Sequence, residues 1–285
     1  MKSSYLTNLV LLVIVIVLLW LSQREQPAEQ QPAGLSALSA EAVERIQIQR
    51  QDRDTLTLER QQQSWQLTQP FNARANQTRV NLLLSLLSSP IHGQQPASDE
   101  SALLEFGLDQ PEVTLLMNEQ PFAFGATESL SQNRYVLHRN VVYLVQDDVT
   151  PLLKASAGSF VDNRLVEEGV SINKLTLPAS NETDEQRLIE QRDGRWHSNN
   201  SSASSDGLKT LVDNWQHAYA MQVRHLDADE LNSLPSPQIS LWLESNSQPL
   251  QLIMTLSGET LQLTNPALQL QYEFPLAMRS QLLPQ

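Results

Sequence analysis

The side chains able to do chemistry are few, and their spacing does not suit it. Five histidines occur: His92, His138, His197, His217 and His225. No two of them have the HExxH spacing that stacks two imidazoles on one helical face for zinc. Solvated or edge positions are expected for all five. Ser171-Ile172-Asn173-Lys174 spells the S-x-x-K of acyl-serine hydrolases, but the stretch begins a strand and no S-D-N or K-T-G partner follows. Asp227-Ala228-Asp229-Glu230 and Asp147-Asp148 are acidic clusters. The first lacks the glycine and terminal glutamate of a calcium loop. Each is expected to open a short helix, where carboxylates meet the positive end of the helix dipole. Neither a P-loop nor G-x-G-x-x-G occurs, so this chain is not expected to hydrolyse nucleotide. The absence of cysteine removes disulfides, thiolate metal sites, iron–sulfur clusters and thiol nucleophiles together. No catalytic, cofactor-binding or metal-binding residue is assigned. Trp196, Trp215, Trp242, Tyr219 and Tyr272 could offer a stacking surface to a glycan, although most fall on the apolar phase of their element. Charge narrows the partners further. The 285 residues carry 32 acidic and 19 basic groups, a net charge of −13. A nucleic-acid binder needs the opposite balance to displace counterions from phosphates.

The elements that would hold these residues repeat along the chain. A turn leads into Trp65, and a similar turn leads into Trp196, an offset of 131 residues. Each tryptophan is followed by polar residues and then an amphipathic helix. In the first helix, Gln77 to Ser88, the apolar positions Val80, Leu83, Leu84 and Leu87 follow i, i+3, i+4, i+7. Asn76 is the expected N-cap and Pro90 the stop. The second helix, Gly207 to Ala220, repeats the spacing with Leu208, Leu211, Val212, Trp215 and Tyr219, capped by Ser205 or Asp206.

Three later runs then match at an offset of 126 residues. Pro111–Leu116 falls on Pro237–Trp242, Tyr135–His138 on Leu261–Thr264, and Val142–Val145 on Leu268–Gln271. Alternation such as Ile46-Gln47-Ile48-Gln49 marks strands with one buried and one wet face, as in antiparallel sheet. The sequence therefore predicts an α+β fold: a duplicated antiparallel-sheet unit, each with one packed amphipathic helix and a short terminal helix. Each unit is expected to read three strands, helix, four strands, short helix. Residues 39–168 form the first unit and 169–285 the second, with the boundary near Glu167-Glu168-Gly169.

Ahead of the units, Tyr5 to Leu21 is apolar and free of charge, about 17 residues and near the lower limit for spanning a bilayer as a helix. Tyr5 and Trp20 sit near its two ends, where amphipathic rings favour the interface. No small-x-small cleavage site follows Leu21, so residues 1–21 are expected to be an uncleaved transmembrane signal anchor. Residues 22–38, rich in Gln, Pro, Ala and Glu, are expected to be a flexible polar tether. Lys2 and the α-amine before the span favour an inward N-terminus, with the body outside the cytoplasmic membrane.

Trp65-x-Leu67-x-x-Pro70, the Leu-rich helix from Val80 to Leu87, and Phe106-Gly107-Leu108-Asp109-x-Pro111 follow one another in that order. After them come Phe124-Gly125, Tyr135-Val136, Val142-Tyr143-Leu144-Val145 and Phe160-Val161-Asp162-Asn163-Arg164-Leu165. In this order the motifs resemble a bacterial family known as domain of unknown function 4340, well over residues 43–166 and by pattern beyond. The resemblance implies an anchored, exported body, often encoded beside ABC-type, gliding-motility-like export systems, and it implies no catalytic residues. The residues themselves assign Gly107 a left-handed helix end, Pro111 a strand start and Gly125 a turn or bulge. The expected function is a non-catalytic, periplasmic accessory subunit of an export system. It would be held in the membrane by residues 5–21 and docked on a permease or a sister anchored subunit. A periplasmic ligand-binding protein for glycans or envelope polymer is the alternative.

Overall fold

The computed structural model describes residues 34–97, 100–179, 185–199, 203–244 and 247–283, together with Val15. The expected anchor, Val15 apart, and the tether up to residue 33 lie outside the described residues. Among the described residues no helix is long and apolar enough to cross a membrane.

Two antiparallel sheets form the frame of the described residues. The first holds β1 (Arg45–Arg50), β2 (Arg53–Gln61), β3 (Ser64–Gln69), β4 (Ala73–Arg74), β5 (Ile91–Pro96), β6 (Val113–Met117), β7 (Gln120–Thr127), β8 (Arg134–His138) and β9 (Val141–Val145). Helix α1 (Gln77–Ser85) precedes β5, α2 (Glu100–Glu105) follows it, and α3 (Thr150–Leu153) follows β9. The second sheet holds β10 (Ile172–Leu177), β11 (Arg187–Arg192), β12 (Arg195–Ser198), β13 (Gln222–His225), β14 (Ile239–Leu243), β15 (Leu250–Ser257), β16 (Thr260–Asn265) and β17 (Leu270–Pro275). Around it lie α4 (Ser205–Gln216), α5 (Ala228–Asn232) and α6 (Arg279–Leu282). The strand orders are β4-β3-β2-β1-β6-β7-β8-β9-β5 and β12-β11-β10-β14-β15-β16-β17-β13. Apart from the two-residue β4, the second order repeats the first strand for strand.

The alternation read from the sequence places these strands. Ile46 and Ile48 of β1 face inward with Leu56 and Leu58 of β2, while Gln47 stays half-exposed between them. In the second unit Leu175, Ile189, Leu241, Leu261 and Leu263 do the same. Helix α1 buries Val80, Leu83 and Leu84, and a 3-10 turn carries Leu86 and Leu87 on to Ser88. Asn76 caps it as expected, its side chain accepting from the Arg79 amide. Helix α4 buries Leu208, Leu211, Val212 and Trp215, but its cap is Ser204, one residue ahead of the expected choices. It stops at Gln216 because residues 218–220 are drawn into backbone pairing with the joint described below.

Four other expectations need correction. The tether does not run to residue 38: Leu35 is buried in the core, and a Cβ on Gly34 would lie 2.4 Å from the Leu87 carbonyl oxygen. Two leucines, Leu35 and Leu38, at the end of a Gln- and Pro-rich stretch are too few to show a periodicity. The edge strand β5 was not expected, because Ile-His-Gly-Gln-Gln-Pro does not alternate. The short β4 was also missed. Finally, Val142–Val145 lies in β9, but Leu268 and Gln269 sit in a turn. The β8–β9 hairpin turns through Arg139-Asn140 alone, both at positive φ, whereas Asn265 pairs with Leu270 across four turn residues. A period-two pattern looks the same after any shift of two, so it cannot fix register.

The segment Phe160–Leu165 stitches the units together. On one side the Asn76 amide donates to the Phe160 carbonyl (2.7 Å) and the Asp162 amide to the Arg74 carbonyl (2.8 Å). On the other, the Leu165 amide donates to Ala218 (3.2 Å) and the Ala220 amide to Asn163 (2.9 Å). Side chains follow the same path. Arg74 donates to the Arg164 carbonyl (2.7 Å) and pairs with Asp162 at 3.8 Å, and Asn163 bridges the Asn76 side chain to the Ala220 carbonyl. Just before the segment, Gly158 lies so close to β13 that a Cβ would sit 2.1 Å from the Val223 carbonyl oxygen. Phe71 stacks on His225, ring centroids 4.3 Å apart. Buried apolar side chains form one continuous cluster through both units.

Candidate functional site

Three of the motifs behind the family resemblance, at Phe106-Gly107-Leu108, Phe124-Gly125 and Tyr135-Val136, converge on one side of the first unit. Helix α2 ends in a Schellman turn: the Leu108 amide donates to Leu103 and the Gly107 amide to Leu104, with Gly107 at φ +63°. That turn presses against β7. The Ala126 amide donates to the Phe106 carbonyl (2.7 Å), and a Cβ on Gly125 would lie 2.3 Å from the same oxygen. The β7–β8 ladder shifts between Phe124 and Thr127, the bulge expected at Gly125. Phe106 also meets Tyr135, with centroids 4.5 Å apart.

The bulge is held from below. Arg134 donates to the Gly125 carbonyl (2.7 Å) and, through Nε, to Asp147 (2.5 Å). Asp147 in turn accepts from the Thr150 amide (2.9 Å), so one carboxylate both pairs the arginine and takes up the first amide of α3. The two side chains are only 18% and 12% exposed. Burial alone pushes the Asp147 carboxyl up, but the hydrogen bonds from Arg134 and Thr150 together hold it below its ordinary range. Beside this pair opens a cavity of about 320 Å³, lined among others by Gly107, Glu112, Phe124, Gly125 and Lys154. At its mouth Lys154 pairs with Glu112 at 2.5 Å, both more than half exposed. That hydrogen bond lowers the Glu112 carboxyl.

Chemically, this arrangement is a brace. Each charge has a partner of opposite sign, and no nucleophile lies against a free base. A second cavity, of about 430 Å³, sits between the β11–β12 turn and the start of α4. Three of its polar side chains, Ser204, Ser205 and Lys209, are committed elsewhere. Ser204 caps the helix, Ser205 accepts from the Trp196 amide, and Lys209 pairs with Asp213.

The side chains singled out in the sequence are scattered. His92, His197 and His217 are exposed. His138 is not at a solvated edge: it is buried, its Nδ1 lies 2.8 Å from the Pro121 carbonyl oxygen, and its ring stacks on Phe122. A flat, weakly polar ring can fill a core position once one nitrogen finds a carbonyl, and the alternation of β8 gives it that inward phase. Lys174 lies on β10 with its ammonium 4.6 Å from the centroid of Trp242. Asp227 and Glu230 form a capping box on α5, and Glu230 also accepts from Arg224 (2.8 Å). Among the described residues no group of three or more His, Asp or Glu could hold a metal ion. The aromatic residues do not share a surface. Trp215 is fully buried, with its indole N–H donating to Leu282 (2.8 Å), and Tyr272 and Trp196 are buried elsewhere. Tyr219 is 55% exposed and stands apart.

Sequence reading missed Arg134 and Arg74. Arg134 precedes Tyr135 on a strand whose alternation points it the same way as Val136, a signal that was available. Arg74 had none, because its partners lie some 90 residues away across the joint.

No curated protein and no solved structure matches the chain. One family model does match, and it covers residues 65–238, beginning at Trp65 and crossing the joint as far as the edge of β14. The match thus extends past the stretch of clearest resemblance, through α4 and into the second sheet. With more than half of its length covered, the chain belongs to the family described as Domain of unknown function (DUF4340).

Proposed function

We propose that this protein is a non-catalytic accessory subunit of an ABC-type export system, anchored in the cytoplasmic membrane by residues 5–21 with its body on the periplasmic side. The observation that carries the reading is where the reactive side chains reside. His138 and His225 stack on Phe122 and Phe71, Lys174 lies over Trp242, and Asp147, Asp227 and Glu230 are taken up at helix starts and in ion pairs. His92, His197 and His217 are exposed and belong to no cluster among the described residues, so the described body offers surfaces in place of a convergent set of groups. Family membership and the apolar run from Tyr5 to Leu21 support the membrane context. The two units would descend from one duplicated ancestor, which the shared strand order supports. The ligand-binder alternative loses support because its aromatic residues are dispersed. Affinity purification of the tagged full-length chain from mild detergent is expected to retain a permease or a sister anchored subunit. Recovery of the chain alone, in several detergents and after crosslinking, would refute the reading.

A further inference from the structure

The two sheets end on equivalent strands that meet different fates. In the second unit the edge strand β13 is covered: Gly158 packs on Val223 and Phe71 stacks on His225. In the first unit β5 occupies the same place in the order and, among the described residues, pairs only with β9. His92, Gln94, Gln95 and Pro96 are exposed along it, and beside Gly93 the nearest neighbour of a built Cβ is Leu144, on the β9 side.

Open edges usually carry charge, are very short, or are covered, because unpaired backbone groups invite another strand. The other three edges here follow that rule. Strand β4 is joined to the 160–162 segment through the Ala75–Val161 bridge, β13 is covered, and the four-residue β12 carries Arg195. Strand β5 is six residues long, with its only proline at the far end. It also sits in a stretch from Val80 to Ser98 that contains no Asp, Glu, Lys or Arg.

We propose that β5 is a pairing edge for a second copy of this chain, joined antiparallel about a two-fold axis into one continuous sheet. The charge distribution favours a copy of itself. A chain of net charge −13 repels its twin over most of its surface, and an uncharged edge is where two copies approach at least cost. The contact is isologous, so it closes on itself as a dimer. Glutamine side chains on facing strands can exchange amide hydrogen bonds across the axis. This inference goes beyond the accessory-subunit reading and stands without it.

The chain's lack of cysteine makes the test direct. Full-length protein carrying Gln94→Cys or Gln95→Cys alone is oxidised and run without reductant, with His197→Cys on the β12 edge as control. A disulfide-linked dimer is expected from at least one β5 variant and not from the control, since the bond needs close Cβ atoms. In parallel, mass photometry should find the unmodified chain dimeric. The double variant Gln94→Lys with Gln95→Lys should dissociate about tenfold more readily, from like charges on facing strands. At a dilution where both proteins are monomeric its melting temperature should match the parent's, because both sites are exposed. A chain that stays monomeric at high micromolar concentration overturns the proposal. So does equal crosslinking at His197→Cys, or a dimer indifferent to the lysines; in the last two cases association would come from another surface or from the apolar N-terminal run.

Discussion

The two units solve one structural problem with different chemistry. Each sheet is followed by a single-turn helix whose last carbonyls need donors. After α3, Arg53 donates to the Lys154 carbonyl (2.8 Å) and Arg50 to the Ala155 carbonyl (2.6 Å), so the β1–β2 hairpin closes the first unit. After α6, Asn214 donates to Gln281 (3.1 Å) and the Trp215 indole to Leu282 (2.8 Å), so the long helix closes the second. The sheet interiors differ in the same way. The first holds the Arg134–Asp147 ion pair. The second holds a chain in which Arg224 donates to Gln271 and Gln271 to Thr264, with Thr264 and Gln271 both buried. Apolar alternation is shared and the polar anchors are private. The fold can therefore be repeated while each copy keeps its own means of holding its ends.

The sharpest break in this comparison should come from Trp215. Trp215→Ala is expected to cost about 3–5 kcal/mol by emptying a fully buried site. Trp215→Phe should cost about 1–2 kcal/mol, mostly for the unpaired Leu282 carbonyl. Denaturant unfolding, with hydrogen exchange resolved by unit, measures both. Protection should fall first around α6 and α4. If β1–β9 loses protection equally, the units do not close independently.

A smaller effect is expected in the first unit from Asp147→Asn, about 1–3 kcal/mol, because Arg134 is left buried beside a neutral amide. The sign of its pH dependence follows from the lowered carboxyl in the folded protein. Its stabilisation is fully present above the unfolded value near 4 and is lost as pH falls through the folded value. Thermal melts of the two proteins should therefore differ most at neutral pH and converge in acid. A gap that widens in acid would show that Asp147 does not act as the paired carboxylate.

The smallest effect separates the two helix caps. Asn76 caps α1 and also donates to Asn163 in the joint, whereas Ser204 caps α4 and does nothing further. Asn76→Ala is expected to cost about 1–2 kcal/mol and Ser204→Ala about 0.5–1 kcal/mol. Equal costs in equilibrium unfolding would mean that the Asn76–Asn163 bond adds nothing to the joint.

The sequence by itself determined the elements whose energetics are local or periodic. Helix α1 with its Asn76 cap was legible because a 3.6-residue stripe and an oxygen-bearing cap are both written within a few neighbours. The left-handed Gly107, the bulge at Gly125 and the Asp227 cap were legible for the same reason. The repeat was visible because the strands and helices return in the same order.

Tertiary structure decided the rest. Strand β5 exists because β9 offers it a ladder, and its own residues carry no alternation. The β16–β17 register was set by a four-residue turn and packing, since a strand pattern of period two is unchanged by a shift of two. His138 became a core residue, Leu35 left the expected tether, and Arg74 found Asp162 and the Arg164 carbonyl. In each case the deciding contact was long-range, and the separation along the chain left no local trace of it. The candidate site shares this division. Its glycines and strand motifs could be read in order, but their convergence around the Arg134–Asp147 pair required the hairpins to fold back on one another first.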